Sequence, residues 1–167
     1  MHLRLRFTHL SFVLSLKIGK ALQVLGEKAG IHGMIGGQVI DVKETGKQID
    51  REVLDTIYEL KTSALIEASM MVGAILAGAT DEELEKVEQM ASNIGIAFQV
   101  QDDILDVTST EEVLGKPIHS DEKNQKTTYV TLLGIEQAQK KVEELSNEAI
   151  ALLHQFTGEN AYLEQLL

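Results

Sequence analysis

The decapeptide FQVQDDILDV, residues 98–107, places Asp102, Asp103 and Asp106 inside a run that is otherwise largely apolar. A buried carboxylate without partners is costly, so the chain must fold in a way that brings neutralising groups to this run. At 3.6 residues per turn, positions 102, 103 and 106 project to one side of a helix, and Gln99, one turn earlier, joins the stripe. Carboxylates this close disfavour one another's ionisation. A divalent cation removes that repulsion. Hard oxygen ligands, with coordination sites left for phosphate and water, suit magnesium. A solvated acidic helix end would need no cation, but the flanking Ile94, Ile96, Phe98, Val100, Ile104 and Leu105 argue for burial.

The rest of the chain is written in helical code. Glu, Lys, Leu, Ala and Ile dominate, aromatic residues make up 4%, and Pro117 is the only proline, a balance that favours helix over sheet. Helices are expected over residues 17–30, 50–77, 81–107 and 135–155. In the second of these, Leu54, Tyr58, Lys61, Leu65, Ala68, Val72 and Ile75 follow 4-3 spacing and share one face, which puts Lys61 in an apolar seam. Gly78 is a stop signal. Thr80 with Glu83 reads as a capping box opening the next helix. Residues 114–129 are irregular and charged. The glycines of GMIGGQVIDVK, residues 33–43, do not follow a strand, so they are not a dinucleotide loop; small residues here let two helices approach. No strand is expected. The fold class is all-α, an antiparallel helix bundle, in a chain of 167 residues that suffices for one domain with a core.

Charge and composition exclude several functions. A net charge of −11 argues against a nucleic-acid partner. Without cysteine there is no disulfide framework or thiolate metal site. His2, His9, His32, His119 and His154 are scattered, with no HExxH pattern. The acidic DEELE of residues 81–85 lies in a first helical turn, where the helix dipole accounts for it. Residues 1–16, basic and then apolar, loosely resemble a signal peptide but lack a small-residue cleavage site. The apolar runs are too short for a transmembrane span, and the expected location is the cytoplasm.

Three lysines complete the chemistry. Lys61 alone would snorkel from its seam to water, and Lys116 and Lys126 alone would be surface charges. Taken with the aspartate stripe, they suit a magnesium-bridged polyphosphate whose remaining oxygens need cations.

Four stretches, GMIGGQVIDV, ELKTSALIEASMMVGAILAG, ASNIGIAFQVQDDILDV and LGKPIHSDEKNQKTTYVTLLG, resemble the C-terminal half of trans-isoprenyl diphosphate synthases, especially the bacterial geranyl/farnesyl diphosphate synthases (geranyltranstransferases). The resemblance runs from about residue 20 to 157. It implies an all-α bundle with a central cavity, usually a homodimer. The implied reaction joins an allylic diphosphate to isopentenyl diphosphate with Mg2+ and releases pyrophosphate. By the same resemblance Asp102, Asp103 and Asp106 lie on the metal side as the second aspartate-rich motif. Lys61 and Thr62 match a Lys-Thr pair whose lysine contacts the diphosphate, and Gln99 matches the glutamine before the aspartates. Lys116 and Lys126 match lysines gripping the leaving diphosphate, while Asp121 matches a supporting aspartate in the same loop. Ile57, Ile94, Leu65 and Phe98 are candidates to line an apolar cavity, with core packing as their default role.

The sequence also departs from that pattern. No second aspartate-rich motif precedes residue 102, and residues 1–16 do not match the expected helix. The expectation is therefore an atypical N-terminal segment, residues 1–16, followed by the C-terminal half of an isoprenoid synthase domain over 17–167. Such a chain is expected to be weakly active or inactive by itself and to bury its uncovered apolar faces by self-association. The alternative is a non-catalytic helical binding or assembly subunit of a prenyl diphosphate synthase.

Overall fold

The computed structural model describes residues 2–110, 112, 115, 126–158 and 160–167, and over 2–13 the backbone alone. Those residues form α1 (His2–Ala29), α2 (Met34–Glu44), α3 (Arg51–Tyr58), a π-helical turn (Glu59–Ser63), α4 (Ala64–Ala77), α5 (Asp81–Thr108), α6 (Tyr129–Leu133), α7 (Ile135–Leu153) and α8 (Ala161–Glu164). There is no strand among them. The helix expected from residue 17 extends back to His2.

The boundaries follow local chemistry. Asp50 caps α3 by accepting the Val53 N–H at 3.0 Å. At the end of α4, Gly78 adopts φ +100°, its N–H reaches the Ala74 carbonyl, and the Ala79 N–H returns to the same carbonyl. A left-handed residue is needed to close that turn, hence the glycine. Thr80 and Glu83 form the reciprocal capping box that starts α5. Thr128 caps α6 in the same way with Thr131.

Helix α5 is the central element, packed between α7 and α4, with α1 on the far side of α4. One apolar cluster joins Leu54, Ile57 and Tyr58 to Val100, Ile104, Tyr129 and Ala138. A second joins Ala21 to Met71, Ile75, Leu84 and Val87. A third holds Met90 against Ala149 and Leu153. The run Arg51–Ala77 is apolar and long enough, by length and composition, to cross a membrane; in this structure it packs against α1, α2 and α5.

The π turn corrects one expectation from sequence. Unbroken 4-3 spacing would carry the apolar face of α3 through Leu65 and Val72. A π turn holds an extra residue, so the face beyond it shifts by one position. Ala64 and Met71 are buried in place of Leu65, which is 39% exposed, and Val72, which is partly covered, while Ala68 and Ile75 are buried as expected.

Two glycines hold the π turn from opposite sides. A Cβ on Gly37 of α2 would lie 2.5 Å from the Lys61 backbone nitrogen, and one on Gly95 of α5 would lie 2.5 Å from Ser63 Cα. Gly73, exposed on α4, has nothing within 4 Å of such a Cβ. Gly37→Ala and Gly95→Ala are therefore expected to cost about 1–3 kcal/mol by overpacking, whereas Gly73→Ala should stabilise by about 0.5–1 kcal/mol. Urea denaturation of the variants checks both signs.

Candidate functional site

The site is a cleft of about 270 Å³ between α2, the π turn, α5 and the segment entering α6. Lys61 and Thr62 reach it from the π turn, Gln99, Asp102 and Asp103 from α5, and Lys126 from the segment before α6. Leu54 and Ile57 supply apolar wall. The structure thus brings together on one cleft most of the residues singled out in the sequence. Asp106 is 3% exposed and lines an adjoining recess with Asp103 and Lys126. Ile94 and Phe98 line a different recess between α5, α7 and the C-terminus, away from this cleft. Lys116 and Asp121 lie outside the described residues.

Asp103 shows how an acid is tolerated inside. It is 7% exposed. Its Oδ2 accepts the Tyr58 hydroxyl at 2.5 Å and the Tyr129 N–H at 3.0 Å, and two such donors offset its desolvation. Tyr58 comes from α3, one turn before Lys61. Tyr129 opens α6, and its hydroxyl donates to Asp55. Burial, together with the hydrogen bond and charge of Asp55, pushes the Tyr129 hydroxyl up to about 12, so it stays a donor near neutral pH. The two tyrosine rings meet at 5.6 Å. They join the helix carrying the aspartates to the segment carrying Lys126.

Sequence reasoning missed Asp41. Lys61 Nζ donates to Asp41 Oδ2 at 2.5 Å, and Lys126 Nζ lies 3.4 Å from both Asp41 oxygens. The lysine of the seam thus pairs with α2 rather than directly with the aspartate stripe. A signal existed: Asp41 is a lone acid in an apolar glycine segment, four residues after Gly37 and hence on its face. Gly37 meets the Lys61 backbone, so one turn later Asp41 meets its side chain. Burial alone would raise the Asp41 carboxyl. The hydrogen bond from Lys61 and the charges of Lys126 and Lys61 outweigh it and hold the group below its usual value.

Behind the cleft a further network fixes the π turn. Ser63 donates to Glu67 at 2.8 Å, and Lys28 of α1 pairs with Glu67 and with Glu88. Glu67 is only 6% exposed, so the turn's last residue is tied through a buried carboxylate to α1 and α5. Among the described residues no three acidic or imidazole side chains converge on one point. The cleft instead sets carboxylates of α5 opposite ammonium groups, an arrangement that binds a polyanion with its cation more readily than a bare ion.

The family model described as Polyprenyl synthetase matches residues 5–165. The chloroplastic geranylgeranyl pyrophosphate synthase of Capsicum annuum is 44% identical over 146 residues, 87% of this chain and 40% of that protein. Farnesyl diphosphate synthase of Bacillus subtilis (strain 168) is 42% identical over 137 residues, 80% of this chain and 46% of that one. The crystal structure of a geranyltransferase from Helicobacter pylori, complexed with magnesium and isoprenyl diphosphate, superposes with a TM-score of 0.76 at 34% identity, covering 90% of this chain and 50% of that one. The chain thus spans about half the length of the relatives it matches.

Tyr58→Phe should cost about 1–3 kcal/mol, because it strips a donor from a buried carboxylate; chemical denaturation at pH 7 checks it. The Asp41 pairing carries a pH signature. A carboxyl held low in the folded state contributes stability above its unfolded value, near 3.8, and loses it as pH falls through the lower folded value. Asp41→Asn should therefore lower Tm at pH 7, and the deficit should shrink as pH falls below the unfolded value of 3.8.

Proposed function

The chain belongs to the polyprenyl synthetase family, a family of prenyltransferases that includes farnesyl and geranylgeranyl diphosphate synthases, and from that premise we propose that its cleft holds the diphosphate of an allylic prenyl substrate. The observation that carries this reading is the convergence of Lys61, Lys126, Asp102 and Asp103 on one cleft with apolar wall behind them. Isopentenyl diphosphate is the proposed second substrate, and geranyl or farnesyl diphosphate the product class.

Magnesium fits the donor set. The α5 acids at the cleft, Asp102 and Asp103, are hard oxygen ligands, and the described acids do not by themselves enclose an ion. That suits a cation which keeps water and takes phosphate oxygens as remaining ligands. Asp102 and Asp103 would hold it, with Asp106 contributing from the adjoining recess. When bound, it would supply positive charge to the phosphate oxygens.

The residues of the chain account for the rest. Breaking the allylic C–O bond leaves positive charge on the prenyl carbon and negative charge on the departing diphosphate. The Lys61 and Lys126 ammonium groups stabilise the growing negative charge, an electrostatic contribution realised most fully in the transition state. Gln99 and Thr62 offer polar contacts beside the same oxygens. Leu54, Ile57 and Ile49 exclude water from the prenyl end, after which the alkene of the second substrate attacks and a proton is lost.

Exposed apolar residues on α1, on α2 and in the turn between them favour association as part of this reading. Leu22 is 63% exposed, Ile31 72%, Val39 58% and Val42 65%. Large apolar side chains left in solvent at this many positions suit burial against a partner. We propose a homodimer working in the cytoplasm. A second reading is a helical binding or assembly subunit that does not turn over alone, favoured by the described acids not enclosing an ion by themselves.

Calorimetry with an allylic diphosphate should show binding that requires magnesium, weakened at least about tenfold by Lys61→Met or Asp102→Ala, since each loses a charge-assisted contact. Unchanged affinity in both variants overturns the site. A coupled assay of pyrophosphate release separates the two readings: turnover marks an enzyme, and magnesium-dependent binding without turnover marks the subunit.

A further inference from the structure

We propose that Asp41 is an internal stand-in for the substrate's phosphate, a carboxylate that occupies Lys61 and Lys126 in the free protein and sets diphosphate affinity by competing for them. The inference rests on the diphosphate reading of the cleft and adds a residue which that reading does not use. Three observations carry it. Both lysines converge on this one carboxylate, Lys61 at 2.5 Å and Lys126 at 3.4 Å. The Asp41 side chain is only 14% exposed, against 29% and 31% for the two lysines, so water screens the pairing poorly. Asp41 also lines the same cleft as the lysines and Asp102, so an anion entering to meet the ammonium groups meets the carboxylate too.

The direction follows from charge. Lys61 and Lys126 are carried by different elements and repel each other when the carboxylate between them is removed. A diphosphate can end that repulsion, but in the native protein it must first break two charge-assisted contacts. Each anion oxygen therefore replaces a carboxylate oxygen, and the net gain is smaller than for free ammonium groups. Glu44, which lines the cleft beside Asp41, is paired with Lys47 at 3.2 Å and competes less for Lys61.

The test uses inorganic pyrophosphate, titrated by calorimetry into the native chain, Asp41→Asn, Asp41→Glu and the double variant Asp41→Asn/Lys61→Met, with circular dichroism to establish folding. A parallel arm pulse-labels lysine amines with acetic anhydride and reads Lys61 and Lys126 by mass spectrometry, with no ligand present. Asp41→Asn should bind pyrophosphate about tenfold more tightly than the native chain, the scale of one charge-assisted contact no longer opposed. Asp41→Glu should restore native affinity, and the double variant should lose the gain. Labelling of both lysines should rise in Asp41→Asn. Pyrophosphate bound by the native chain but equally or less well by Asp41→Asn leaves the diphosphate reading standing and overturns this inference, because the carboxylate then positions the lysines rather than competing for them. Failure of every form to bind pyrophosphate, with or without magnesium, overturns both.

Discussion

The close approach of three helices at residues 59–63 is the constraint on which the rest of the structure depends. A π turn by itself is a poorly favoured piece of helix. Here it is held where Gly37 and Gly95 admit backbone on either side and where Ser63 is tied to buried Glu67. The extra residue moves the buried positions that follow from Leu65 and Val72 to Ala64 and Met71. With the extra residue, Lys61 and Thr62 face the cleft while Ala64, Ala68 and Met71 still face the core. The same turn therefore serves packing and chemistry, and neither can be altered without the other.

Electrostatic balance is the second theme. The cleft gathers Asp41, Asp102 and Asp103 with Lys61 and Lys126, and the chain solves the cost of each acid differently. Asp103 accepts from two neutral donors, the Tyr58 hydroxyl and the Tyr129 amide. Asp41 is satisfied by cations. Tyr129 and Tyr58 then act as struts between α3, α5 and α6.

Much of the site was legible from spacing. The i, i+3 and i, i+4 pattern of Gln99, Asp102 and Asp106 placed them on one side of a helix without knowledge of the fold, the capping box at Thr80 set the start of that helix, and the stop at Gly78 set the end of the helix before it. Lys61 stood out because a lysine in an apolar seam is unusual. Legibility failed where period alone was the guide. Leu65 and Val72 were placed in the core because 4-3 spacing assumes an unbroken α-helix, and nothing local to ELKTS announces the extra residue. Asp41 was passed over because its role comes from a neighbour twenty residues away in sequence.

What the sequence determined by itself was the class of structure and the helices that carry the acids: helix propensity, capping and periodicity are interactions between residues a few positions apart. What only the tertiary structure decided was the pairing of charges. Lys61 lies with Asp41 rather than with the aspartate stripe, and Asp103 lies beneath two tyrosines. These choices depend on how closely α2 and α5 approach the π turn, and that distance is fixed by glycine contacts between segments far apart in the chain, a quantity that no local pattern encodes.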